Sequence, residues 1–260
     1  MVCITSCSFH ENVIKKQLSS CRLLCGAFVV QMAEGLFARR SVSFTGSAVM
    51  GALAALTTLM VPARIQPSFP LLPFLKFDPA ELFSVLAFLI FGPVPAVITA
   101  TVHWLFLTAT GVDTPLGPAV KFVSVLSTLF GLWLGSLAYR WSGIKQYRNS
   151  VVLFFMLSFA IITRVMMLLI VNYFVFTYIG PVIFGIDYLG FSQQTLQGTL
   201  HMQFAGPSQV LMAMLLFTSL FNALHAVFSV AVPFIVMTPL SSMVPQLSSG
   251  HPWISRLSKP

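Results

Sequence analysis

Charge is scarce in this sequence. Only 8% of its 260 residues are charged, and just six of them are Asp or Glu, whereas a soluble domain carries about 25% charged residues. Hydrophobic residues reach 57% and the mean hydropathy is +0.90. This composition excludes an ordinary water-soluble domain and is typical of a chain that spends most of its length in a lipid bilayer.

Motifs for catalysis and for nucleotide binding are also missing. The chain has no Gly-rich phosphate loop, no HExxH and no GxSxG sequence. The cysteines match no common zinc or redox spacing and all lie within the first 25 residues: Cys3, Cys7, Cys21 and Cys25. We therefore expect no metal site, no cofactor and no enzymatic activity, and any process driven by ATP would require partner subunits.

The net charge of +8 does not indicate nucleic-acid binding, because the 14 Lys and Arg residues are spread singly or in pairs through short loops. Their distribution instead indicates how the chain is oriented in the membrane. With both termini in the cytoplasm, the external loops hold only Arg64 and Lys76, and the positive-inside rule is satisfied. The cytoplasmic positions are then Arg39, Arg40, Arg140, Lys145, Arg148, Arg256 and Lys259. The sequence predicts a multi-pass protein of the cell membrane.

Apolar windows long enough to cross a bilayer divide the chain into three parts. Residues 1–42 form a basic N-terminal extension, although translation starting at Met32 is an alternative; residues 43–240 form the membrane domain, and 241–260 a cytoplasmic tail. The predicted spans are Ser43–Met60, Ala80–Phe91, Val94–Thr110, Pro118–Tyr139, Val151–Phe176 and Val210–Val236. The second, at roughly 18 Å, is too short to cross the hydrocarbon unaided. The fold class is therefore an all-α membrane protein with six transmembrane helices, the second short.

The external segment Pro62–Pro79 is rich in proline and phenylalanine. Proline restricts the backbone and the aromatic rings offer packing surfaces, so we expect this first external loop to be ordered, like a stiff lid. Asp78 and Glu81 follow at the start of the second span, where they are interpreted either as charge at an outer mouth or as markers of a helix start and water boundary. The loop from Ile179 to Gln209 is expected to be long and external.

Polar and ionisable residues inside predicted spans require a partner or a water-filled cavity; they are His103, Lys121, Arg164, Asn172, Asn222 and His225. On the last span the spacing of Ser219, Asn222, His225 and Ser229 places them on one helix face. That face indicates a binding site or, alternatively, hydrogen bonding between helices. Arg164 has no obvious acidic partner in the spans.

Four stretches carry a resemblance to a known family: FLKFDPAELFSVLAFLIFGPVPAVITATVHWLF at 74–106, PLGPAVKF at 115–122, VNYF at 171–174 and FNALH at 221–225. In this order they resemble the substrate-binding S components of energy-coupling factor (ECF) transporters, nearest the riboflavin-binding ones. The resemblance implies a pocket near the outer face, capped by the first external loop and lined by the fourth to sixth spans.

The same resemblance implies partners and residue roles. S components work in the bilayer with a coupling membrane subunit and two ATPase subunits, docking through small residues of the first helix, here Ala48, Gly51, Ala52 and Ala55. From the residues alone, this stripe also fits ordinary helix packing. Carried over onto this chain, the riboflavin contacts are Asp78, Asn172 and Asn222.

Two positions depart from the riboflavin-binding pattern. His225 stands where FNxxK has lysine, and Lys121 stands where related sequences often carry asparagine. Both are expected to contact the substrate, which is riboflavin or, alternatively, another vitamin or a nucleobase-like molecule. Two different functions also fit the sequence: a stand-alone facilitator, and a membrane enzyme that acts on a lipid or quinone through His103, Lys121, Arg164 and His225.

Overall fold

The computed structural model describes Leu56 and residues 66–111, 116–144 and 149–243, with side chains for all of these except 149 and 238–243. The first predicted span, Ser43–Met60, lies outside the described residues apart from Leu56, which is helical. The N-terminal extension, the predicted docking residues Ala48, Gly51, Ala52 and Ala55, and residues 244–260 also lie outside them.

Helices dominate the described residues. They are α1 (Glu81–Phe91), α2 (Pro93–Thr110), α3 (Gly117–Trp141), α4 (Asn149–Phe174), α5 (Tyr188–Leu200) and α6 (Pro207–Met243), and α4 continues without a break as a π-helix, Val175–Ile183. Five of these, all except α5, coincide with predicted spans. The prediction of an all-α membrane fold is confirmed.

Four of the helical segments are long and apolar enough to cross a membrane. They are Pro93–Thr110, Gly117–Trp141, Ser150–Ile183 and Pro207–Met237. Their outward faces carry large apolar side chains such as Phe154, Ile162 and Met212, which are 67%, 57% and 75% exposed. In a bilayer such side chains contact lipid, because the solvent there is as apolar as they are.

The short helix α1 lies inside the bundle. Six consecutive residues, from Val85 to Ile90, are buried, since α1 packs against α2 on one side and α6 on another. An 11-residue helix is only about 16 Å long, so its neighbours shield it as expected. The turn into α2 requires Gly92, whose φ of 102° is costly for residues with a Cβ atom.

The loop before α1, which the sequence predicts to be external, is ordered as a small β-hairpin. Strand β1 (Ser68–Phe69) pairs antiparallel with β2 (Leu72–Lys76) in an irregular register. Leu72 is fully buried and Phe69 nearly so, and both pack with Phe221 of α6. We call Ser68–Lys76 the loop-one hairpin; it agrees with the expectation of an ordered loop in this position.

The segment that was expected to be a long external loop, from Ile179 to Gln209, is largely helical. Residues 175–183 extend α4 as the π-helix, and Tyr188–Leu200 form α5. The Asp187 side chain caps α5 by accepting a hydrogen bond from the Gly190 N–H at 2.9 Å. Because α5 is short and only weakly apolar, its pattern did not distinguish it from a polar loop.

Helices α3 and α4 approach each other closely through glycine. A Cβ atom at Gly135 would lie 2.6 Å from the Met156 Cα, and one at Gly131 would lie 2.5 Å from the Ala160 Cα. The absence of side chains therefore allows the two backbones to pack, as is common between membrane helices. This contact fixes the position of α3 and α4 on two sides of the site described next.

Candidate ligand-binding site

A cavity of about 280 Å³ lies among α1, α3, α4 with its π-helical extension, α6 and the loop-one hairpin. Ligand pockets in proteins usually span roughly 300 to 1,000 Å³, so this cavity suits a small molecule. Its walls are mostly apolar: Phe74, Leu116, Val120, Leu168, Val175, Phe176, Tyr188 and Phe221. Its polar lining residues come from four different helices and include Glu81, Lys121, Arg164, Asn172, Asn222 and His225.

Arg164 of α4 and Glu81 of α1 form a buried ion pair at this cavity. The Arg164 Nη1 lies 2.8 Å from the Glu81 Oε2, and Nη2 lies 3.4 Å from Oε1. Nη1 also donates to the Thr128 hydroxyl of α3 at 3.1 Å, and the Ser229 hydroxyl of α6 donates to the Glu81 Oε2 at 3.3 Å. Hydrogen bonds from α3 and α6 therefore surround the pair, as a buried charge requires.

The polar stripe of α6 meets the same guanidinium. Arg164 Nη2 lies 2.9 Å from His225 Nδ1, and Arg164 Nε donates to Asn222 Oδ1 at 3.4 Å. The Asn222 amide also donates to the Thr218 carbonyl at 2.9 Å. Asn222, His225 and Ser229 are all buried, whereas Ser219 is only half-buried and Thr218 takes its place on the stripe.

Asp78 links the end of the loop-one hairpin to the helices. Its carboxylate lies 2.9 Å from Lys121 Nζ of α3 and 3.7 Å from His103 Nε2 of α2. It also accepts a hydrogen bond from the Ala80 N–H at 3.0 Å, next to the start of α1. A single buried carboxylate thus connects the hairpin, α2 and α3.

Aromatic rings hold the hairpin against the cavity wall. Phe74 of β2 packs against Phe176, Tyr188 and Phe191 at centroid distances of 6.1, 5.7 and 6.4 Å. At the other end, Phe77 lies 4.8 Å from Phe221. Burial raises the pKa of the Tyr188 phenol, in the short helix α5, above its ordinary value. Tyr188 therefore stays neutral and its hydroxyl can donate a hydrogen bond.

Some polar groups at the cavity have no partner within the described part of the chain. The hydroxyls of Ser124 and Thr218 are buried and make no hydrogen bond there. The Asn172 side chain, 5% exposed, lines the cavity and likewise makes no hydrogen bond with the residues described. An unmet buried polar group costs about 1 to 3 kcal/mol, so a molecule that supplied partners would bind favourably.

The predicted substrate contacts separate into two groups. Lys121, Asn172, Asn222 and His225 all line the large cavity. Asp78 is 1% exposed and instead borders a neighbouring space of about 10 Å³, together with His103 and Lys121. Lys121 borders both spaces, so it lies between the large cavity and Asp78. Among the described residues, no cluster of three or more His, Cys, Asp or Glu has metal-binding geometry.

Sequence reasoning missed the partnership of Arg164 and Glu81. Glu81 was interpreted as charge at a mouth or at a water boundary, yet its residue exposure is only 2%. A signal was present: the chain has only six acidic residues, and an arginine inside a span often pairs with an acidic side chain. The separation of 83 residues between the two hid the pair.

The S component of a bacterial ECF transporter is a solved structure with a similar fold, at a TM-score of 0.50 and 21% sequence identity. The similarity covers 75% of this chain and 94% of the other. The chain shares the fold of an S component. No family model matches the sequence, and no curated protein does. In this fold the cavity among α3, α4 and α6 lies beneath the loop-one hairpin, where the sequence resemblance predicted a pocket.

Proposed function

We propose that this chain is the substrate-binding S component of an ECF-type vitamin uptake transporter and that its ligand is riboflavin. One observation carries the proposal: a membrane bundle with the S-component fold contains a cavity of about 280 Å³ with apolar walls and buried polar groups. Such a cavity can enclose a small molecule and offer it hydrogen-bond partners. Cargo capture, rather than catalysis, is the role that this arrangement supports.

The lining chemistry suits a flavin. Its flat tricycle requires apolar and aromatic walls, which Phe176, Tyr188 and Phe221 supply. Its pyrimidine edge alternates hydrogen-bond donors and acceptors, and an Asn amide offers both, so Asn172 and Asn222 are the proposed partners. Lys121 and His225 complete the polar side, and Asp78 acts by orienting the Lys121 ammonium 2.9 Å away.

Uptake by this route requires partners. The chain has no nucleotide-binding motif, so we propose that a coupling membrane subunit and two ATPase subunits supply the energy. Docking would use Ala48, Gly51, Ala52 and Ala55, and both termini would face the cytoplasm. Uptake by cells that express this chain with the other three subunits, but not by cells that express it alone, is the expected result. Equal uptake in both would support a facilitator instead.

Ligand binding can be tested directly. The protein purified from riboflavin-containing cells is expected to show flavin absorption, and the stripped protein is expected to quench flavin fluorescence saturably at submicromolar ligand. Asn172→Ala should raise the Kd about 10-fold, because the flavin edge loses a hydrogen-bond partner. Gln194→Ala is the matched control, since Gln194 is an exposed amide on α5 away from the cavity. Its Kd should not change.

The outcomes separate the ligand from the fold. No bound flavin and no quenching would overturn the riboflavin assignment. The S-component role would then be tested with a panel of other vitamins and nucleobase-like compounds, scored by ligand-induced stabilisation, because binding raises the melting temperature by mass action. Failure to bind every member of the panel would overturn substrate capture itself.

A further inference from the structure

The Arg164 guanidinium has no donor left for a ligand. Arginine carries five N–H donors, and five acceptor contacts surround this one: two Glu81 oxygens, the Thr128 hydroxyl, Asn222 Oδ1 and His225 Nδ1. The residue is 1% exposed. Arg164 is therefore fully occupied by protein although it lies at the cavity.

These contacts fix the orientation of two cavity-lining side chains. Because arginine only donates, the contact at 2.9 Å requires His225 Nδ1 to accept. The other ring nitrogen, Nε2, lies 3.5 Å from Glu81 Oε2 and 3.4 Å from the backbone nitrogen of Asp78, so protein groups approach both ring nitrogens. Similarly, the Arg164 Nε contact turns the Asn222 oxygen towards α4 and its NH₂ towards the Thr218 carbonyl.

We propose that Arg164 is a positioning residue, which holds the Asn222 amide and the His225 ring in fixed orientations, so that the remaining N–H of Asn222 and the face of the His225 ring meet the ligand. This inference rests on the proposed function and applies to whichever small molecule the cavity binds. Lysine cannot replace arginine in this role, because a single ammonium cannot reach acceptors on α1, α3 and α6 at once. A positive charge alone is thus insufficient to position Asn222 and His225; the planar guanidinium with its five donors is required.

A double-mutant cycle tests the coupling between Arg164 and Asn222. The Kd is measured by fluorescence quenching with riboflavin, or by thermal shift with the panel compound that the wild-type protein binds, for the wild type, Arg164→Lys, Asn222→Ala and the double variant. Asn222→Ala is expected to raise the Kd about 10-fold in the wild type but less than about 3-fold in Arg164→Lys. The reason is that an Asn222 amide no longer held in place by Arg164 contributes less to the free energy of ligand binding.

Thr163→Val is the control for a purely structural effect. Thr163 is the neighbour of Arg164 in α4, and its hydroxyl bonds to the Ser127 carbonyl of α3 at 2.9 Å, away from the cavity. This variant should lower the melting temperature while Asn222→Ala still raises the Kd about 10-fold. If Arg164→Lys does not fold, Thr128→Val loosens the guanidinium without uncovering a charge, and it should raise the Kd about 2- to 3-fold.

Additive effects of Arg164→Lys and Asn222→Ala would overturn the positioning role and leave the proposed function intact. An unchanged Kd in Thr128→Val would do the same where Arg164→Lys does not fold. A wild-type protein that binds no compound of the panel would overturn the proposed function, and this inference with it.

Discussion

The Arg164 guanidinium and the Glu81 carboxylate meet at 2.8 Å, with their side chains only 1% and 3% exposed. A buried ion pair is weak evidence for stability, since well-packed apolar residues often serve as well. Its position beside a cavity, with hydrogen bonds from α3 and α6, instead indicates a role in arranging the site.

Glu81→Ala should destabilise the protein by about 3 to 5 kcal/mol, because it leaves the buried Arg164 charge without its partner. The measurement is thermal unfolding in detergent. Glu81→Gln, which keeps an acceptor oxygen but removes the charge, should cost less. Replacing both partners with apolar residues should restore most of the stability. A Glu81→Ala protein as stable as the wild type would show that the ion pair does not form.

Asp78→Asn should speed ligand release and raise the Kd about 10-fold. The asparagine oxygen can still accept from the Ala80 N–H, but the 2.9 Å ion pair with Lys121 is lost, so the hairpin is held less firmly to α3. Stopped-flow dissociation of the bound flavin provides the rate. Asp187→Asn is the control, because the Asp187 carboxylate likewise accepts a hydrogen bond from a backbone N–H near a helix start but lies outside the cavity. Equal release rates in the two variants would contradict the prediction.

Gly135→Ala should destabilise the α3–α4 contact by about 1 to 3 kcal/mol, the usual cost of overpacking. The new Cβ would lie 2.6 Å from backbone atoms of Phe155 and Met156, which cannot move aside as a flexible side chain would. The matched control is Gly198→Ala in α5, where nothing lies within 4 Å. That change should be neutral or stabilise by up to about 1 kcal/mol, because alanine favours helix. Equal melting temperatures would contradict the close approach.

Asp187→Ala should lower the free energy required for local unfolding of α5 by about 1 kcal/mol, because the helix loses its N-terminal cap. Hydrogen exchange of the Tyr188–Leu200 amides measures this effect without requiring global unfolding. Asp187→Asn should preserve protection, since an asparagine oxygen can also accept from the Gly190 N–H. Loss of protection in both variants would indicate that charge, rather than the cap, stabilises the helix.

Five spans could be predicted from the sequence to within a few residues at most of their ends, because continuous apolar runs of the right length are a strong local signal. The π-helical extension and α5 were missed. Both pack against the loop-one hairpin, where Phe74 meets Phe176 and Tyr188, and such contacts between residues far apart in the chain leave no local pattern.

The candidate site was predictable only in part. Asn172, Asn222 and His225 stood out because polar residues inside spans are costly. The pairing of Arg164 with Glu81 was not predictable, since Glu81 is 83 positions away and begins a different helix. The sequence by itself determined the membrane class, the spans and the polar stripe of α6, all of which depend on near neighbours in the chain. Only the tertiary structure decided which charges pair and which residues line one cavity, because those contacts join residues from separate helices.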